Sequence, residues 1–439
     1  MLQEDCFERF CLISSHCCQV YTILQWYPGG ENMAKITGIR CIRTRHNRSW
    51  TIVKVMTDQP GLYGIGSATD LYAPGTIGQL LEELLGPRLI GMDAGRIEDI
   101  WQVLYTCGYW RNDGLLQTAM GGIDMALWDI KGKEAGMPVY QLLGGACRAA
   151  VPCYGHAGGA DISSLIESVH RFKEEGYTVI RCQLGSYGGG GFIPKEQANV
   201  PAGAWTDGPV FDEARYLHMI PEMFERLRLE FGMDVQFTHD VHEHLSPITA
   251  IQLAKRLEPY SLFYLEDVLP PEQIGWFRQL RAQCATPQAI GELFVNPAEW
   301  TPLVQERLID FIRVRVPKIG GISPARKIAA LGEAFGVRTA WQEGGESDPV
   351  NQAACVHLDM AIWNFGIQEV NHFRPEEREA FPGTIERRGG YLYPNDRPGL
   401  GIDIDEEKAE ALIAGSEKGK PYFRPYPTDR KADGTSVRP

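Results

Sequence analysis

From residue 151 onward the chain repeats one grammar, a short apolar run that ends in polar residues and is followed by a helical pattern. The runs are VPCYGH (151–156), TVIRCQ (178–183), DVQFTHDVH (234–242), LFYLED (262–267), QAIGELF (288–294), FIRVRV (311–316), RTAWQE (338–343) and WNFGIQE (363–369). Parallel strands buried on both faces read as such runs, and eight strand–helix repeats meet the requirement of a closed α/β barrel. The preceding segment reads differently. Residues 35–72 alternate with period two in three stretches separated by turns, which predicts a small antiparallel sheet. Helical patterns follow at 76–86 and 95–107, and a long one at 115–145 breaks near Gly136, Met137 and Pro138. Residues 33–150 therefore read as an α+β unit, 151–370 as the barrel, and 371–439 as a segment that folds back onto the first unit.

Several function classes fall away on composition. No stretch approaches the ~20 apolar residues needed to span a bilayer, so no membrane role is expected. The net charge is −13 and no Lys/Arg block stands out, which argues against nucleic acid as a partner. Eleven scattered cysteines suggest reduced thiols and a cytoplasmic location. Residues 1–32 lack the basic start and uninterrupted apolar run of a secretory signal. Met33 opens a clean first strand, so the extension reads as disordered or as a start-site artefact. No P-loop motif occurs, and Gly64–Gly66 lacks the third glycine of a dinucleotide turn. That glycine pair is expected to shape a loop of the first unit over the barrel mouth.

Asp240, Glu266 and Glu292 fall at equal intervals at the ends of three successive predicted strands. One strand–helix unit has about this length, so all three belong on one arc of the barrel mouth, where active sites of this architecture form. Three bare anions there repel, and a hard divalent cation with oxygen preference removes the conflict; one Mg²⁺ is the expected cofactor. HDVHEH (239–244) matches no helical zinc motif, and period-two geometry sets His242 beside Asp240 as a candidate acid or base. The stretch from 184 to 210 is too long for an ordinary barrel loop and is expected to be a lid.

These segments resemble the enolase superfamily, through GGIDMALWDIKGKEAGMPVYQLLGG, YLEDVLPPEQ, IGELF and VPKIGGISPARKIA. Within it the chain resembles the mannonate-dehydratase group, through CYGHAGG, RCQ at Arg181, HDVH and NFGIQEVNHF. The resemblance implies an N-terminal capping domain and a modified (β/α)7β barrel. It also implies Mg²⁺ on Asp240, Glu266 and Glu292, chelating a substrate carboxylate and stabilising an enediolate. His242 is implied as the acid for the departing β-hydroxyl, and Arg181 as the partner of a base. The group's loop tyrosine falls at Ile193 here; Tyr187 is the tyrosine left for that role. A strand-seven histidine of the group is replaced by Gln342, which can bind a hydroxyl but cannot shuttle a proton. Glu343 or Glu346 is a possible substitute. His156 and Glu369 are implied to orient substrate hydroxyls.

The expected function is therefore a Mg²⁺-dependent, dehydratase-like hydro-lyase that acts on a small sugar acid and yields a 2-keto-3-deoxy acid. The departures put activity on mannonate itself in doubt. The alternatives are a binding or regulatory member without turnover, and an acid-sugar epimerase. Symmetric homo-oligomeric assembly is the default expectation.

Overall fold

Period-two alternation in the first segment forms a meander of β1 (Ile36–Arg43), β2 (Thr51–Thr57) and β3 (Tyr63–Ser67), antiparallel and in that order. The computed structural model describes residues 34–44, 50–412 and 428–437, so the reading of 1–32 lies outside the described residues. Ile52, Val53, Val55 and Ile65 are buried where the sheet meets its helices. These are α1 (Ile97–Cys107) and α2 (Gly114–Ala135). The Asp113 carboxylate caps α2 by accepting the Leu115 and Leu116 amides, and Gly136 stops it with φ 63°.

The role expected for Gly64–Gly66 needs correction. Both lie within β3, pressed against α2. A Cβ on Gly64 would come 1.9 Å from the Ala126 carbonyl oxygen, and one on Gly66 2.0 Å from that of Gly122. Helix and strand touch backbone to backbone there, and only glycine fits.

The barrel strands are β4 (Val151–Gly159), β5 (Val179–Leu184), β6 (Gln236–Asp240), β7 (Tyr264–Glu266), β8 (Gln288–Ile290), β9 (Phe311–Ile312), β10 (Arg338–Thr339) and β11 (Gln368–Glu369). They pair in parallel in chain order, and β11 returns to β4 through Gln368↔Cys153 and Glu369↔Tyr154. A bridge between Thr339 and Phe365 completes the ring. Seven helices separate the strands: α3 (Ile162–Glu174), α4 (Glu213–Phe231), α5 (Pro247–Leu257), α6 (Phe277–Gln283), α7 (Pro297–Gln305), α8 (Ile322–Phe335) and α9 (Pro349–Ala361). Tyr154, Tyr264 and Phe311 pack inside the ring as one buried cluster with Val179 and Ile367. The barrel is plugged, and chemistry is confined to its mouth.

The chain beyond 370 does not pack on the first unit alone, as expected, but joins the barrel as well. A hairpin of β12 (Glu386–Arg388) and β13 (Tyr391–Tyr393) adds antiparallel to the start of β4. Residues 403–406 then reach the first sheet, where Asp403 accepts from the Tyr63 hydroxyl and Glu406 pairs with Lys54 at 2.7 Å. The first unit is also fastened to the barrel mouth. The Ser67 and Thr69 hydroxyls both donate to Asp348, whose side chain caps α9, and Lys318 pairs with Asp70. Among the described residues no helix is long and apolar enough to cross a membrane.

Candidate active site

Strand ends of the barrel deliver a compact, buried charge cluster. β6 ends at Asp240 and β7 at Glu266, followed at once by Asp267. One ligand oxygen from each lies within 4.8 Å of the others. Arg313, one residue past β9 and itself buried, reaches Glu266 at 2.6 Å and Glu369 at 2.9 Å. Arg181 on β5 stands 3.3 Å from Asp240, 3.6 Å from Glu266 and 3.5 Å from Glu369. His156 on β4 approaches Glu369 at 3.2 Å.

His242 reaches the cluster by a turn rather than by strand pleating. The strand stops at Asp240, and His242 and Glu243 both take left-handed backbone angles, φ 52° and 61°. The His242 amide donates to Asp240 Oδ1 at 2.8 Å, and its ring Nδ1 lies 3.5 Å from Oδ2. The Tyr187 ring stacks on the imidazole with centroids 3.9 Å apart and planes 9° from parallel. Its hydroxyl is 3.5 Å from Arg181. The lid that carries Tyr187 is ordered around a short antiparallel pair, Phe192–Ile193 with Val210–Phe211. His239, between these strand-end groups in sequence, faces away and bonds the Tyr216 hydroxyl and the Cys182 carbonyl.

The charges sort into two sets. Burial raises the Asp240 pKa, but His242 and Arg181 outweigh it and hold the group at about 2. Burial lowers His242, but the Asp240 carboxylate overrides this and lifts it to about 9. Burial pushes Glu266 well up despite Arg313, and pushes Asp267 to about 6 and Glu292 to about 8. Tyr187 is pulled down by Arg181, but burial and the charges of Asp240, Glu292 and Glu369 outweigh that and leave it raised. Neither Glu266 oxygen receives a well-formed hydrogen bond, nor does Asp267 Oδ2. Buried carboxylates crowded enough to favour protonation even beside Arg313 and Arg181 are what a hard divalent cation relieves. The all-oxygen donor set fits Mg²⁺.

Nearly all the residues singled out by sequence meet here; two stand apart. Glu292 lies outside the tight trio, because β8 stops at Ile290 and Gly291 turns the chain with φ 142°. Its carboxyl still feels His242 and Asp267. Gln342 lies beyond the end of β10, buried, and accepts from Arg315 at 3.1 Å. Glu346 is ion-paired with Arg315, and Glu343 is held by Asn351 and Gln352. Neither acid is free to replace a strand-seven histidine. Three members of the site escaped the sequence reading. Asp267 was signalled by the Glu-Asp pair ending LFYLED, and Arg313 and Arg315 by cations inside the apolar run FIRVRV.

Comparison with known proteins agrees with this architecture. Residues 36–144 match the mandelate racemase / muconate lactonizing enzyme N-terminal domain, and 164–408 the enolase C-terminal domain-like family. A D-galactonate dehydratase family member of Paenibacillus sp. (strain JDR-2) is 74% identical over 407 residues, 93% of this chain and 100% of that protein. A D-mannonate dehydratase of Caulobacter vibrioides is 42% identical over 92% of this chain and 99% of its own length. The crystal structure of an enolase from Pantoea ananatis, with bound D-gluconate and Mg, superposes with a TM-score of 0.86. It is 45% identical, covering 92% of this chain and all of that one. On fold, site and sequence together, the chain belongs to the enolase superfamily, in the family of the D-galactonate dehydratase family members.

Proposed function

We propose that this protein is a Mg²⁺-dependent hydro-lyase that removes water from a sugar acid to give a 2-keto-3-deoxy acid. The observation that carries the reading is the buried carboxylate cluster with His242 held beside one of its members. Asp240, Glu266 and Glu292 hold the metal. Asp267 accepts the Gly291 amide at 3.2 Å and so sets the turn that delivers Glu292. The bound cation supplies Lewis-acid stabilisation of charge developing on the substrate carboxylate.

The remaining steps belong to side chains. His242, held with its ring Nδ1 3.5 Å from Asp240, donates a proton to the departing β-hydroxyl oxygen. Tyr187 takes the α-proton. Once the nearby carboxylates are neutralised, Arg181 is the largest remaining influence on its phenol and favours the ionised form. Arg313, buried beneath the same cluster, pairs with Glu266 and Glu369 and holds both carboxylates in place. His156, Glu369 and Gln342 orient hydroxyls. Because the Tyr187 and His242 rings touch, both protons move on one face of the substrate. The preferred acids therefore have α-proton and β-hydroxyl in a syn relation.

The test is a library of hexonic and related acids incubated with protein and Mg²⁺ and assayed for 2-keto-3-deoxy products. Absence of product from every member removes the hydro-lyase reading. Gln342, tied to Arg315 and unable to shuttle a proton, favours a second reading, binding without turnover. Tight binding of an acid without solvent-deuterium uptake at its α-carbon supports that one.

A further inference from the structure

Residues 428–437, near the C-terminus, sit against the lid at the barrel mouth. They form a hairpin of their own, with the Val437 amide bonded to the Asp429 carbonyl and the Lys431 amide to that of Thr435, both at 2.8 Å. The Phe211 amide donates to the Arg430 carbonyl at 2.8 Å, so this hairpin extends the lid's strand pair. The Arg430 guanidinium lies 4.8 Å over the Trp205 ring of the lid. Lys431 pairs at 2.8 Å with Glu213, whose other oxygen accepts from Ser246 and Thr249 after β6.

The decisive contact runs inward. His244, its side chain fully buried, puts Nε2 3.2 Å from Asp429 and Nδ1 2.6 Å from the carbonyl of His242. Its ring packs edge-on against Phe211, and Gly188 of the lid leaves no room for a Cβ beside it. His242 sits in a left-handed conformation, which a non-glycine residue keeps only where its surroundings hold it. The carbonyl of that residue is the one His244 grips.

We propose that Asp429 is a positioning residue: acting through His244, it fixes the left-handed turn that aims His242 and keeps Tyr187 stacked on it. The C-terminal hairpin is thus a working part of the proton-transfer apparatus, and its role rests on the reading of His242 as the acid. Loss of a partner that orients a functional group costs about 10–100-fold in activity.

The experiment compares the full-length protein with Asp429→Ala, Asp429→Asn and the double variant Asp429→Ala/Lys431→Ala. In Asp429→Ala, kcat on the best acid sugar falls about tenfold, while KM and the Mg²⁺ dissociation constant stay within about twofold. Amide exchange at 185–193 and 241–245 speeds up about tenfold. Asp429→Asn keeps an acceptor oxygen and restores most of both. Unchanged exchange in the double variant overturns the proposal, and so does faster exchange with unchanged kcat. If the parent protein turns over no acid sugar, the function proposed above fails separately. The ring ¹⁵N resonances of His242 then decide: a shift in Asp429→Ala upholds the positioning role, and an unchanged signal ends it.

Discussion

A buried carboxylate pushed toward protonation is an expensive object, and Glu266 is one even with Arg313 2.6 Å away. Such a group persists where something else holds it, which makes Glu266→Gln the sharpest single test of the metal site. Its Mg²⁺ affinity, read by calorimetry, drops by more than the about 100-fold that loss of a supporting partner costs. Glu292→Gln does the same, whereas Asp267→Asn weakens binding by about tenfold or less, since it removes a brace and not a ligand. The reverse ranking would assign the third ligand to Asp267. His242→Asn leaves Mg²⁺ affinity intact and lowers kcat by about 10²–10⁴-fold, the usual worth of a general acid. Far from the site, His357 packs its ring on Tyr140, and its Nδ1 accepts the Tyr140 amide. Burial lowers its pKa from 6.5 to about 4, so the folded state holds it neutral. Between those pH values the unfolded chain binds the extra proton, and stability falls as pH falls. The loss totals about 3 kcal/mol at about 1.4 kcal/mol per unit. His357→Gln removes that share of the slope and leaves the like share of His239, which burial also lowers to about 4; urea midpoints at pH 4.5 and 7 measure the difference from the parent.

At the scale of elements, the contact of β3 with α2 makes the clearest prediction. Gly66→Ala drives a methyl into the Gly122 carbonyl and costs about 1–3 kcal/mol by overpacking. It lowers the urea midpoint with the m-value unchanged. The sequence shows that Gly64 and Gly66 interrupt an alternating run, but not which element presses on them. The barrel repeats are readable for a physical reason: strands covered on both faces are apolar throughout, so each announces itself. Their ends are less readable. Apolar patterning registers burial and not hydrogen bonding, and in RTAWQE the regular strand ends at Thr339, with only the Ala340 and Gln342 amides carrying bonds on to the Ile312 and Val314 carbonyls. Equal spacing leads to Asp240, Glu266 and Glu292, yet the Gly291 turn sets Glu292 off and Asp267 takes the nearer place. The docking of 428–437 on the lid joins residues more than two hundred apart, through contacts that leave no local pattern.

For the molecule as a whole, metal occupancy and stability are linked. At 100 times its dissociation constant, Mg²⁺ adds about 2.7 kcal/mol, raising Tm by several degrees. Scanning calorimetry shows this rise in the parent protein and its loss in Glu266→Gln; a parent Tm indifferent to Mg²⁺ would count against the site. The barrel's closing strand has a further consequence. β4 pairs with β5 beside it in sequence, but also with β11 and β13, whose residues lie beyond 365. On a translating ribosome the first stave therefore waits with one edge bare until most of the polypeptide has emerged. Unpaired edges recruit other chains, and closing so wide a loop is slow. Chaperone demand during synthesis should accordingly peak before residue 393 leaves the exit tunnel.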